Sequence, residues 1–141
     1  MAVRIEVSEV IDRPVPIVFK FYADDHVRNH PRWDPDIELW RDSDEPIGVG
    51  TIIQRRNSRS GTPVEGTMEV VEYEPNRAFG VVIREGPMVT HGRTTFEEAD
   101  EGRTRLTVAA DFPIDESMRD HITFLMQRSV RNIKEFTAAE T

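Results

Sequence analysis

A single long amphipathic helix at the end of the chain, facing a run of strands, constrains this sequence most. Over about 115–139, Met118, Ile122, Leu125, Met126, Ile133 and Phe136 recur at three- and four-residue steps and fall on one helical face. Nearly everything over 37–111 carries the period of two that strands show. An apolar stripe has to be buried, and the only partner on offer is a sheet. One helix laid against a curved sheet leaves space between the two, and function is expected in that space.

The 141 residues are enough for one core and too few for two, so 1–141 reads as a single domain. Apolar residues make up 38% and charged residues 31%, which covers one layered core and leaves one sheet face wet. A net charge of −8 argues against nucleic acid as a partner and disfavours docking on anionic membranes. With no cysteine, disulfides, thiolate metal sites and cysteine nucleophiles are excluded. No segment approaches the roughly 20 apolar residues of a membrane span, so no stable membrane insertion is expected. The chain opens on strand-like Val3, Ile5 and Val7, with no charged region followed by an apolar run, and the expected location is cytoplasmic. Lys20 and Lys134 are the only lysines among many arginines, a bias that fits a GC-rich bacterial genome.

Along the chain, a first strand runs to about Ile11, and Pro14 and Pro16 suit the opening turn of a helix carrying Val15, Val18, Phe19 and Tyr22. Asp24 or Asp25 caps a second short helix with Val27 and His30, which Pro31 is expected to stop. Ile37 and Leu39 start a strand; Trp40 follows directly, so one of that pair faces outward. Five further strands follow, separated by turns near Gly48 and Gly50, Ser60 and Gly61, Pro75 and Asn76, Gly86 and Pro87, and 100–102. The basic cluster Arg55, Arg56 and Arg59 sits near an expected hairpin tip and reads as a solvated edge. In 64–73 the apolar set changes parity after Val70, which predicts a bulge there. Asp115 then caps the final helix. Short turns between consecutive strands imply an antiparallel meander of about seven strands, an α+β fold with the two short helices plugging one end.

That element order, with Ile11-Asp12-Arg13-Pro14 leading into the first helix, resembles the helix-grip superfamily, SRPBCC. The superfamily groups START-related and birch-pollen-allergen-like domains, lipid-transfer proteins and polyketide cyclases. Pro31-Arg32-Trp33-Asp34-Pro35, Gly48-Val49-Gly50-Thr51 and Glu69-Val70-Val71-Glu72-Tyr73-Glu74-Pro75-Asn76-Arg77 match its polyketide cyclase/dehydrase and lipid transport branch. Thr94-Thr95-Phe96-Glu97 and Gly102-Arg103-Thr104-Arg105-Leu106 complete the pattern. The resemblance implies a curved antiparallel sheet wrapped around the long helix, with an apolar cavity between them. These are scaffold motifs, and none is a family-wide catalytic signature.

By parity, Met68, Val70, Phe79, Val81, Met88, Thr90, Thr94, Phe96, Leu106 and Val108 point inward from the strands, and Ile122, Leu125, Met126 and Ser129 from the helix. Taken alone these rows describe either a solid core or a cavity wall; the resemblance favours the wall. Tyr22 and Trp33 join them as candidate ligand contacts, with the hydroxyls of Tyr22, Thr90, Thr94 and Ser129 setting orientation. His26 and His30 have the four-residue spacing of a zinc pair, but His30 abuts Pro31 and no glutamate lies between them. They read as capping and surface charge, and no metal is assigned. His91 should face outward, opposite in parity to Thr90. No nucleophile elbow or phosphate loop is present, and no cofactor is assigned.

The expected function is binding of a small hydrophobic or amphipathic ligand, lipid-like, polyketide-like or isoprenoid, in the central cavity. The alternative is a polyketide cyclase, aromatase or dehydratase acting in the same cavity. Binding ranks first because the inward rows are nearly free of Asp, Glu, His and Lys. A third reading is an interaction module without a cavity, in which Phe124, off the main stripe, belongs to a homodimer contact.

Overall fold

The computed structural model describes residues 2–138, so the expected helix end at Ala139 lies outside the described residues. Strand β1 (Val3–Ile11) alternates buried Val3, Ile5 and Val7 with exposed neighbours and pairs with β7 (Arg103–Phe112). Between β1 and the rest of the sheet come α1 (Val15–Phe19) and α2 (His26–Trp33). Strands β2 (Ile37–Trp40), β3 (Ile52–Asn57), β4 (Val64–Glu74), β5 (Ala78–Glu85) and β6 (Met88–Asp100) follow. The seven strands form one antiparallel sheet in the order β1-β7-β6-β5-β4-β3-β2. Every neighbour except β1–β7 is a sequential hairpin, so the expected meander is the fold.

The parity change in β4 is a bulge between Val70 and Glu72. It turns Val71 outward and restores Tyr73 to the inner face, opposite Phe79. Gly66 shows how tightly the strands converge here: a Cβ on it would lie 2.0 Å from the Arg84 carbonyl oxygen. Leu39 packs inward, and Trp40 faces out with the Arg56 guanidinium 5.7 Å from its ring centroid.

The link between α1 and α2 is a π-helical turn, Lys20–Asp24, closed by the Asp25 N–H on the Lys20 carbonyl. A wide turn changes which side chains face inward, and here Phe21, Tyr22 and Ala23 are all buried in succession. Asp25 does not cap α2 through its side chain; it pairs with Lys20 and Arg28 instead. Nor does Pro31 stop α2, which runs on to Trp33. Proline removes one N–H in the last helical turn, a loss set against burial of the Trp33 indole, which is 3% exposed.

The last helix, α3 (Arg119–Ala138), is preceded by a 3₁₀ turn whose Ser117 N–H is accepted by the Asp115 carboxylate. It packs chiefly along β1 and against α2, and hardly touches β4 to β6. Its second half buries Val130, Ile133 and Thr137; its first half contributes only half-buried side chains, and Phe124 is 57% exposed. No helix among the described residues is long and apolar enough to cross a membrane.

Candidate functional site

Because α3 leans on β1, the middle of the sheet is left uncovered by solid packing, and a cavity of about 160 Å³ lies between them. The sheet supplies Met68, Phe79, Val81, Thr90, Thr94 and Val108 to its wall, and α3 supplies Ile122, Leu125, Met126 and Ser129. Tyr22 and Trp33 close one end. These are the residues that strand parity and the helical stripe bring to the inner face.

Three of the expected contacts are not on the wall. Val70 is wholly buried inside the solid core cluster. Phe96 is spent on the plug, its ring edge-on to Phe19 at 5.0 Å and to Tyr22 at 5.7 Å. Met88 is 43% exposed, because β6 reaches beyond the pairing with β7, which begins only at His91–Asp111. Leu106 is likewise solid core, and His91 is exposed as its parity requires.

The larger correction concerns charge. His26, His30, Asp34, Arg55 and Arg59 all reach the cavity, at the end formed by α2 and β3. Arg55 is no solvated edge residue. It is two positions from wholly buried Ile53, so its parity turns it inward, and it is 6% exposed. Its Nε donates to Glu85 Oε2 at 2.9 Å. Gly66 is the β4 residue opposite Arg55, and its missing side chain leaves room for the Glu85 stem. Arg59 folds back and donates to Asp34 Oδ2.

The histidines share one face of α2, as their spacing predicts, but that face points inward. His26 Nδ1 lies 2.7 Å from the Tyr22 carbonyl oxygen, and His26 Nε2 lies 2.9 Å from His30 Nδ1. A carbonyl only accepts, so His26 carries its proton on Nδ1 and presents a bare Nε2. His30 must then donate from Nδ1, which leaves its own Nε2 as a lone-pair acceptor. Burial pushes the His26 pKa down to about 4, against the Tyr22 carbonyl hydrogen bond and with some help from the Arg55 charge. His30 is also held well below the usual histidine value, by burial first and then by His26, Arg55 and Arg59. Both rings are neutral at neutral pH. No group of three or more His, Asp or Glu side chains placed to hold a metal occurs among the described residues.

Stacking locks this end. Trp33 lies between two rings, Tyr22 at 5.1 Å and 11° and His30 at 5.2 Å and 15°. The Thr94 hydroxyl donates to the Tyr22 hydroxyl at 2.8 Å. Two hydroxyls share one bond here, so one of their two protons remains for the cavity. Burial, partly offset by Thr94, raises the Tyr22 pKa to about 12, so the phenol stays a donor. The result is an oily chamber with an ordered polar end. Sequence reasoning saw the histidine spacing and the arginines; it missed that both belonged to one inward surface. The parity of Arg55 with Ile53 was the signal that could have found it.

The sequence matches the polyketide cyclase / dehydrase and lipid transport family over residues 2–135. Comparison with curated proteins finds no match. Among solved structures the chain is similar to Ara h 8.0201, with a TM-score of 0.77 at 14% identity, covering 99% of this chain and 100% of that one. A START superfamily protein from Mycobacterium smegmatis also gives 0.77, at 12% identity over 98% and 99% of the two chains. DynU16, from the dynemicin biosynthetic locus, gives 0.71 at 18% identity, over 96% of this chain and 47% of its own. These identities speak to fold alone. The chain belongs to the polyketide cyclase / dehydrase and lipid transport family.

Proposed function

We propose that this member of the polyketide cyclase / dehydrase and lipid transport family binds a small amphipathic molecule in the chamber between sheet and α3. The single observation that carries the reading is a cavity with apolar walls and an ordered polar end. Apolar burial at about 25 cal/mol per Å² supplies the affinity, and the Tyr22–Thr94 pair and the Ser129 hydroxyl supply orientation. Size limits the guest. About 160 Å³ suits one aromatic ring or the end of a longer lipid-like or isoprenoid chain. Anything bulkier has to displace the loosely packed first half of α3.

The placement of His30 and Tyr22 on the cavity favours a second reading, a cyclase- or dehydratase-type enzyme. The direction of the histidine shifts weighs against it. A general base works best with a pKa near the working pH, and both histidines are held far below that. His30 is therefore better suited to accept a hydrogen bond than to remove a proton. The test is native mass spectrometry of the freshly purified protein, alongside titration with toluene followed by NMR. Shifts confined to cavity residues such as Val81 and Met126 are the expected result. A protein that neither carries a lipophile nor responds to toluene defeats the binding reading.

A further inference from the structure

At the polar end of the cavity two buried groups have no hydrogen-bond partner among the described residues, Arg55 Nη1 and Asp34 Oδ1. The Arg55 side chain is only 7% exposed, so water cannot satisfy it freely. A buried polar atom left unpaired is costly, and two of them on residues that line one cavity point to a guest that pairs with both. His30 Nε2, left bare because Nδ1 carries the proton donated to His26, adds a further acceptor.

We propose that this end of the cavity recognises a neutral head group in which a carbonyl oxygen sits beside an N–H or O–H donor, as in an aryl carboxamide or a hydroxyketone. The inference rests on the binding reading above and names the ligand class. The carbonyl accepts from Arg55 Nη1, and the donor serves Asp34 Oδ1 or His30 Nε2. Charge decides against an acid. Arg55 is already matched by Glu85 and Arg59 by Asp34, so the cluster is balanced. A carboxylate would bring a further charge into a buried, balanced site and would face two acceptors, an arrangement that desolvation disfavours. An apolar guest would leave the orphan groups unpaired. The stack of Tyr22, Trp33 and His30 borders the cavity beside the head, where ring edges can meet an aromatic guest.

The test is calorimetric or NMR titration of the full chain with three probes of equal ring size, benzamide, benzoate and toluene. Benzamide should bind at least about tenfold more tightly than toluene, the factor expected for one good hydrogen bond to a charged partner. Benzoate should bind more weakly than benzamide. Arg55→Leu, and independently Arg55→Lys, which keeps a cation beside Glu85, should each lower the preference for benzamide over toluene about tenfold. Toluene binding as tightly as benzamide would overturn the head-group inference and leave the cavity reading standing. Benzoate binding more tightly than benzamide would overturn the neutral-head claim. A benzamide complex whose amide turns away, with waters on Arg55 Nη1 and Asp34 Oδ1, would overturn it too. If no probe binds and no lipophile co-purifies, the binding reading itself fails.

Discussion

Mild acid should unfasten this protein through His26, and the size of the effect follows from where that ring sits. His26 is 2% exposed, held between the Tyr22 carbonyl, the Trp33 and Phe79 rings, neutral His30 and the Arg55 cation. No carboxylate is bonded to the ring, and the Tyr22 carbonyl alone does not offset the cost of a buried charge beside the Arg55 cation. Its folded pKa of about 4 lies below the unfolded value of 6.5. The stabilisation is therefore complete above pH 6.5 and is lost as the pH falls toward 4. Integrating proton uptake by the unfolded chain between pH 7 and pH 5 gives a loss of about 2 kcal/mol from this one ring. His30, shifted the same way, adds to it. Urea unfolding at pH 7, 6 and 5 measures the loss. His26→Phe keeps an aromatic ring and removes the titration. It leaves the Tyr22 carbonyl and His30 Nδ1 without their partner at every pH, so its offset is pH-independent and only its slope matters. The wild-type slope should exceed that of His26→Phe by about 2 kcal/mol across the window. Equal slopes would show that His26 is not buried neutral, and the tautomer chain through His30 would fall with it.

Two substitutions separate tight backbone approach from open cavity. Gly66→Ala puts a methyl 2.0 Å from the Arg84 carbonyl oxygen, so the strands must part and Glu85 must leave Arg55. A loss of about 2 kcal/mol or more is expected in urea unfolding, and an unchanged midpoint would refute the close approach. Gly92→Ala is the opposite case, since its methyl would meet only Val81 Cγ2 at 3.5 Å and project at a cavity wall. It should stabilise by about 0.4–1 kcal/mol through the unfolded chain while weakening toluene binding, read by the same titration.

Much of the fold was legible because strands and helices announce themselves locally. A period of two over 37–111, a parity change after Val70 and a stripe from Met118 to Phe136 each depend on neighbours in sequence. The elements they imply are present, bulge included. Local rules also misled, at Pro31 and Arg55 most plainly. Pro31 reads as a stop, yet the indole two residues later gains enough by burial to hold the helix on. Arg55 reads as surface by charge, yet its parity with Ile53 turns it under the sheet, where Glu85 meets it.

The sequence by itself determined most of the apolar rows that face inward and the order of elements along the chain, because pleat and helical pitch are properties of the backbone. It could not say which inward residues touch each other and which border empty space. That depended on α3 leaning toward β1, which opens a chamber beside Val81 and Met126 and seals Val70 into solid packing. Tertiary structure also decided the chemistry of the site. Two histidines on one helical face can bind a metal, cap a helix or sit neutral in a core, and only burial against Trp33 and Arg55 selects among these. Desolvation and neighbouring charge set a titration state, and both are measured across the fold, not along the chain.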